Sequence, residues 1–487
     1  MSSCLKKTVL CLAVLGALGA AGAQAQTLTK LTHQPPARVN LPFLLTDGRV
    51  MIQALNYRDW YALSPDVNGK YVTGTWTKLA SFPSSWNYAP DAPASAVLGD
   101  GRLIVEGGEY NNGQFTLTNL GAIYDPVADS WTKVNPPSGW GQIGDSPSVV
   151  LADGRYLLGR KLDQQMAVLD PATLTWTLVG AANKTDFNSE EGWTLMPDGT
   201  VLTADVLKAP NSERYLPADG VWMSDGSTGV DLHSPTTVTG CISYPGGCYY
   251  PPGEIGPAIL RPDGTVFATG SANSGKVAHT SIYTPGSSST SPGTWTPGPN
   301  FPAGESAGDT AAALLPSGNV LVAAASGTFY EWNGTKLKKT LTGGGGAILL
   351  ALPSGETLVT SSTVKVYVGA GSPKPAWAPT ISSVPTTLTR GSSYTISGTQ
   401  FNGLSQAAAF GDEFETATNY PLVRITNTAT GHVFYARTHD HSSMGVATGA
   451  TPVHTHFDVP AGAPTGAATL QVVANGIAST AVNVTVN

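Results

Sequence analysis

The stretch Ala96-Val-Leu-Gly-Asp-Gly-Arg-Leu-Ile-Val-Glu-Gly-Gly108 decides the fold. It reads as an apolar strand, a tight turn at Asp100-Gly101 and a second apolar strand, because glycine takes the positive φ that a two-residue hairpin turn needs. The pattern occurs seven times. Its turns are Thr46-Asp47-Gly48-Arg49, Gly99-Asp100-Gly101-Arg102, Ala152-Asp153-Gly154-Arg155, Pro197-Asp198-Gly199-Thr200, Pro262-Asp263-Gly264-Thr265, Pro316-Ser317-Gly318-Asn319 and Pro353-Ser354-Gly355-Glu356. Successive turns lie 37 to 65 residues apart. A period near 50 residues built on Gly-rich hairpins predicts a seven-bladed β-propeller of the kelch kind.

Further along each repeat, an aromatic or apolar residue stands near a proline, as in Tyr124-Asp-Pro126 and Tyr283-Thr-Pro285. A tryptophan strand follows: Thr75-Trp-Thr-Lys-Leu79, Ser130-Trp-Thr-Lys-Val134, Thr175-Trp-Thr-Leu-Val179, Thr294-Trp-Thr296. That makes four strands per repeat, the unit of a propeller blade. The seventh repeat lacks this last strand. Thr27-Leu-Thr-Lys-Leu31 imitates it, so residues 26–34 are expected to complete the last blade and remove an exposed sheet edge. Charged residues make up 12% of the chain against 56 glycines and 36 prolines, a balance that suits short strands and turns and excludes a helical or disordered chain.

Lys6 and Lys7, the apolar run Val9 to Ala20 and the small-x-small Ala23-Gln24-Ala25 read as a signal peptide over residues 1–25. No apolar run long enough for a membrane span follows, so a secreted or periplasmic protein is expected, with no membrane span after cleavage. Cys241 and Cys248 then remain, closing a small loop as a disulfide is expected to in an exported chain. The formal net charge is −7 and no basic run occurs, which argues against nucleic acid as a partner.

The propeller is expected to span residues 26–369, with a Pro/Gly linker over 370–379. Residues 380–487 read as about seven short strands, among them Tyr394-Thr-Ile396, Leu422-Val-Arg-Ile425 and Ala481-Val-Asn-Val-Thr-Val486, forming an immunoglobulin-like β-sandwich. The fold class is therefore all-β.

Seven kelch-type hairpins followed by Pro379-Thr-Ile-Ser-Ser383, Val459-Pro460 and Val473-Ala-Asn-Gly-Ile-Ala-Ser479 resemble the galactose oxidase and glyoxal oxidase superfamily, with its C-terminal "early set" domain. The arrangement looks closest to bacterial exported kelch proteins of that superfamily. The resemblance implies a copper centre with a tyrosine cross-linked to cysteine, a Tyr-His pair on the last blade and a histidine from the C-terminal domain. It places the propeller ligands eight to nine residues before each hairpin turn. On the last blade that position is Gly345-Gly346, and neither Cys241 nor Cys248 is free for a cross-link. The radical centre is therefore not expected.

Counting back from the turns gives carboxylates instead: Asp91, Asp145, Glu190 with Glu191, Glu254 and Asp309. Innermost strands surround a propeller axis, so five blades deliver an acid to one mouth. Converging carboxylates repel and need cations, shared protons or bonded donors. Three readings stay open: backbone-bonded structural acids, a cation site, and a general acid–base pair on a sugar. Five of eight histidines fall between 432 and 456; His439/His441 and His454/His456 each have the i, i+2 spacing of one strand face. The resemblance maps the family's C-terminal histidine most closely onto His439, with His441 next, which would carry an imidazole to the acidic mouth. Arg437 could instead neutralise the acids. Tyr250, in Tyr249-Tyr250 beside Cys248, is a candidate for stacking on a sugar.

The expected function is an axial site that binds or processes a carbohydrate or other polar envelope ligand. His439, Glu191, Glu254 and Asp309 are the catalytic candidates. Asp91, Asp145, Glu190 and Tyr250 are expected to bind ligand, and His439 and His441 a divalent metal, whether copper, zinc or calcium. A non-catalytic glycan- or protein-binding propeller and a copper oxidase with altered ligands are the alternatives. A monomer is expected.

Overall fold

The computed structural model describes residues 25–411 and 416–487. The expected signal peptide lies, apart from Ala25, outside the described residues. Within them, no helix is long and apolar enough to cross a membrane.

Among the described residues, seven antiparallel blade sheets follow one another along the chain, six of four strands and one of five. Blade 1 consists of Val39–Leu44, Val50–Ala54, Trp60–Ser64 and Thr75–Leu79. The first strands of blades 2 to 7 are Ala94–Val97, Ser148–Val150, Thr194–Leu195, Ala258–Leu260, Ala312–Leu314 and Ile348–Ala351. These strands are almost wholly buried and touch those of neighbouring blades, so they line the axis. The tryptophan strands are largely exposed and lie outermost. Their indoles tie blades together: Trp131 Nε1 donates to Ala80 O at 2.8 Å and Trp176 Nε1 to Asn135 O at 2.7 Å, each reaching the segment that leaves the preceding blade.

All seven hairpin turns share one geometry, and it is not the two-residue loop expected. In blade 1, Leu45 N–H donates to Arg49 O and Gly48 N–H to Leu45 O. This is a three-residue loop whose last residue takes the left-handed conformation. The seven glycines have φ between 80° and 88°. Asp47 and Asp100 keep negative φ and instead accept the backbone N–H two residues on, at 3.0 Å in both turns. A two-residue type I′ turn would need positive φ at both centres; the aspartate's own hydrogen bond selects the longer loop.

Thr27–Lys30 pairs antiparallel with Lys365–Val368 and supplies the outer strand of blade 7. The last sheet is thus built from both ends of the propeller sequence, which leaves the ring without a free radial edge.

The C-terminal strands, from Thr380–Ser383 to Val482–Val486, form a β-sandwich with its own core of Leu388, Ile396, Val423, Ile425, Phe457, Leu470 and Val484. It covers the turn end of the propeller. Tyr435 lies over Gly48, Thr438 N–H donates to Thr46 O at 3.2 Å, His441 N–H to Gly99 O at 3.1 Å and Met444 N–H to Ala152 O at 3.0 Å.

From this domain a finger enters the propeller axis. Gln406 Oε1 accepts from Leu195 N–H at 2.7 Å, Leu314 N–H donates to Ala407 O at 2.7 Å, and Ala408–Ala409 pairs with Ala312–Ala313 as a fifth strand of blade 6. Gly411 lies against the backbone of Gly192, Ile255 and Asp309, at the far end of the inner strands. The run Ala407-Ala-Ala409 suits this path, because only small side chains fit among close-packed inner strands.

Candidate functional site

Each inner strand begins at the end of the propeller opposite the hairpin turns. In blades 2 to 6 the chain bends into it through a residue of positive φ: Ala92 (φ 51°), Gly144 (φ 83°), Glu190 (φ 60°), Gly253 (φ 116°) and Asp309 (φ 48°). These bends bring Glu109, Asp145, Glu190, Glu254 and Asp309 round one cavity of about 360 Å³, with Tyr249, Ser234 and Asn273 also in its wall. Asp91 stands at its margin, its Oδ1 accepting from Asn40 Nδ2 at 3.2 Å. Of the counted-back carboxylates, Asp145, Glu190, Glu254 and Asp309 thus meet at one mouth; Asp91 is not part of its wall, and Glu191 turns elsewhere, as described below.

Among the described residues one cation, Lys161, is paired with these acids. Lys161 is 0% exposed. Its Nζ donates to Asp145 Oδ2 and Glu190 Oε1, both at 2.5 Å, and Tyr249 Oη donates to the same Glu190 oxygen at 2.6 Å. Burial alone would lower the lysine's pKa, but Asp145 and Glu190 carry it well above its ordinary value. Asp145 is pushed up by burial despite the ammonium. Tyr249 comes from the hairpin Ile242–Tyr244 and Gly247–Tyr249, closed by the Cys241–Cys248 disulfide. Its ring lies 5.8 Å from Phe115 and 5.2 Å from the Lys161 ammonium.

The remaining acids of the wall have no lysine or arginine within hydrogen-bond reach among the described residues. Glu254 and Asp309 are hydrogen-bonded to each other. Burial, then the charges of Glu190 and Asp309, push Glu254 up to about 9. Burial is also the main cause that raises Asp309. Glu109 is raised to about 7 by burial and by Glu190, Asp309 and Asp91, with Lys161 opposing. At neutral pH the mouth therefore holds a protonated acid beside a carboxyl group titrating near neutrality.

Glu191 does not join them. Glu190 and Glu191 diverge, Glu190 to Lys161 and Glu191 to a second buried lysine inside blade 4. Lys184 Nζ donates to both Glu191 oxygens at 2.9 Å and to Glu213 Oε2 at 3.2 Å, and lies 4.4 Å from the Trp222 ring centre. Tyr250 is 68% exposed and stays out of the cavity wall, which its neighbour Tyr249 occupies.

His439 and His441 lie at the wrong end of the propeller for the expected site. His439 is half-buried between Asp440 (Nδ1 to Oδ2, 2.7 Å) and Asp458 (Nε2 to Oδ1, 3.1 Å). Beside it, Arg437 holds Asp458 at 3.2 Å and donates to Asp100 O in a hairpin turn at 2.8 Å. About eight residues of largely extended chain, the inner strand and its flanks, separate this region from the acids, roughly 25 Å. Arg437 therefore does not neutralise the mouth. Nor do the histidines combine into a ligand set. His439 faces His456 across the sheet, with ring centres 5.6 Å apart. His441, past the strand end, is half-buried against Tyr420 with Nδ1 2.7 Å from Thr455 Oγ1. Burial, then the neighbouring His439, lowers its pKa to about 3, so it stays neutral. His454 is exposed.

The copper-radical centre implied by the resemblance does not fit the mouth. Among the described residues of the cavity wall there is neither histidine nor cysteine, the last blade presents Gly345 and Gly346 to a different cavity, and both late cysteines are in the disulfide. Hard carboxylate donors suit other cations.

Counting from the turns could not find Glu109, Lys161 or Tyr249, because they follow second strands or ride on an inserted hairpin. The finger was also missed, although its run of small residues Ala407-Ala-Ala409 marks it.

No family model matches the chain. A stretch of 131 residues is 28% identical to the kelch-like protein terF of Aspergillus terreus, covering 26% of each protein, so the match spans about a quarter of that relative. Among solved structures, a fungal alcohol oxidase of the AA5 family in complex with copper matches 95% of this chain and 98% of its own, with 14% identity and a TM-score of 0.49. A streptogramin B lyase matches 71% of this chain and 98% of its own, with 12% identity and a TM-score of 0.46. Over that 131-residue stretch the chain is thus similar to a kelch-like protein, in keeping with its all-β, bladed architecture.

Proposed function

We propose that the acidic mouth binds a carbohydrate or other polar, hydroxyl-rich ligand and carries out acid–base chemistry on it. The observation that carries this reading is the meeting, in one cavity, of the hydrogen-bonded Glu254–Asp309 pair with Glu109, whose pKa is near 7. A ligand hydroxyl or bridging oxygen placed between them would find a proton donor in Glu254 and an acceptor in Glu109. Lys161 and Tyr249 act as positioning residues: they hold Asp145 and Glu190 in place and keep the cavity from carrying the full charge of its acids. The Cys241–Cys248 disulfide, which anchors the Tyr249 hairpin, supports an exported protein.

The test is isothermal titration of the full chain with a panel of neutral, amino- and uronic-acid oligosaccharides, alongside product analysis of the same mixtures. At least one member should bind saturably, and Glu254→Gln and Asp309→Asn should each weaken it tenfold or more. Failure of the whole panel to bind, or equal binding by wild type and both variants, would overturn the reading.

A further inference from the structure

Behind the mouth, blade 4 holds a second group of acids that the proposed function does not use. Asp186, Glu191, Asp205 and Glu213 are all buried, with Lys184 as the cation in their midst. Three of them have partners. Asp186 Oδ2 accepts from the backbone N–H groups of Val206 (2.7 Å) and Leu207 (2.9 Å), and its Oδ1 from Phe187 N–H (2.9 Å). Glu213 Oε1 accepts from Thr185 N–H and Oγ1, at 2.6 and 2.8 Å, and Glu191 is held by Lys184. Asp205 differs. It is 2% exposed, and neither of its oxygens has a hydrogen-bond partner among the described residues. One of its oxygens lies within 4.8 Å of ligand atoms from both Asp186 and Glu191.

An unbonded carboxylate sealed from water costs several kcal/mol or more unless something positive meets it. Lys184 cannot be that partner, since its three N–H directions already serve Glu191 twice and Glu213 once. Four carboxylates against one ammonium leave the cluster short of positive charge. We propose that Asp186, Glu191 and Asp205 form a binding site for a hard divalent cation, of the calcium, magnesium or manganese class, separate from the mouth. The donors are all oxygen, which such ions prefer over softer metals. Each residue keeps a lone pair for the ion: Asp205 on both oxygens, Asp186 on Oδ1 and Glu191 on Oε1. The ion would cross-link the segment before inner strand Thr194–Leu195 to the loop after Val201–Ala204, so its role is to stiffen blade 4 where that blade also supplies Glu190 to the mouth.

Trp193 provides a reporter. Its Nε1 lies 3.4 Å from Glu191 Oε2, whereas the described wall of the mouth contains no tryptophan. Chelator-treated full chain is titrated with terbium, a luminescent substitute for calcium, with excitation through tryptophan, and then back-titrated with calcium. Saturable luminescence displaced by calcium is expected, with a calcium-dependent rise in melting temperature. Asp205→Asn should weaken terbium binding at least tenfold, while Glu254→Gln at the mouth leaves it unchanged. Trp193→Phe should dim the luminescence yet keep the calcium-dependent rise, which covers the case of an unstable Asp205 variant. Absence of saturable luminescence and of any melting shift with calcium, magnesium and manganese overturns the proposal, as does luminescence lost in Glu254→Gln and kept in Asp205→Asn. Neither of these outcomes touches the sugar titration at the mouth.

Discussion

Replacing Lys161 by methionine tests how the mouth is held together. The substitution keeps most of the side-chain volume and removes the ammonium that donates 2.5 Å hydrogen bonds to Asp145 and Glu190. Hydrogen bonds to charged groups contribute about 1.5–3 kcal/mol each, and taking one partner from a buried ion pair costs about 3–5 kcal/mol. We take about 4 kcal/mol at neutral pH. At about 2 °C per kcal/mol for a large domain, the melting temperature should fall by roughly 8 °C. The loss has a sign with pH. Burial holds Asp145 above its ordinary value even beside the ammonium; without the ammonium it rises further. An acid whose folded pKa is raised weakens the fold progressively as pH climbs from its unfolded to its folded value. The destabilisation should therefore be large at pH 8 and shrink toward pH 5, where the orphaned acids take up protons. Lys161→Met with Asp145→Asn and Glu190→Gln should recover more than half of the loss, since it removes the charges as well as their partner. The assay is denaturant unfolding of the wild type and these two variants at pH 5 and pH 8. A loss equal at both pH values, or no recovery in the triple variant, would refute the reasoning.

Three further outcomes follow from the same structure. Deleting residues 26–34 removes the pairing of Thr27–Lys30 with Lys365–Val368 and should clearly lower the melting temperature; an unchanged value contradicts the closure of blade 7. Gly101→Ala should cost more than Gly154→Ala, because both glycines have positive φ but a Cβ at Gly101 meets Thr46 Oγ1 at 2.8 Å while one at Gly154 meets open space. The shared left-handed backbone costs about 1 kcal/mol in each, so equal denaturant midpoints would contradict the packing of the turn face. In the wild type, Glu109 and Glu254 are raised by burial to about 7 and about 9, so the folded chain binds more protons than the unfolded one through that window. Their contribution to stability is fully present below the unfolded carboxylate range and declines as pH rises past 7 and toward 9. Denaturant midpoints should fall between pH 5.5 and 8.5, and a rise there contradicts the protonated mouth.

The turn glycines made the propeller readable because a positive φ at a hairpin loop leaves few other residues possible, and the structure keeps that φ in all seven. The loop was one residue longer than read, because the aspartate's hydrogen bond to the chain ahead is a competing local choice with nearly the same sequence. Counting back from the turns reached Asp145, Glu190, Glu254 and Asp309, all in one cavity wall, because the bend into each of these inner strands lies eight or nine residues before its turn. The count failed at Glu191, where adjacent side chains of an extended segment diverge and two buried lysines each take one acid. His439 came from the family resemblance and not from the count, and a local Thr-His match cannot show which end of the propeller a domain covers; among the described residues, the finger that does enter the axis carries Ala407, Ala408 and Ala409 there. Lys161 was unreadable because nothing in Arg160-Lys161 distinguishes a buried ammonium from a solvated one.

The central claim is that function resides in the acidic mouth and not in the histidine-rich C-terminal domain. The most direct measurement is the dissociation constant of one oligosaccharide from the panel for the wild type, Glu254→Gln and His439→Ala. The account predicts a tenfold or greater weakening in Glu254→Gln and no change in His439→Ala. Wild-type affinity in Glu254→Gln together with weakened binding in His439→Ala would contradict it.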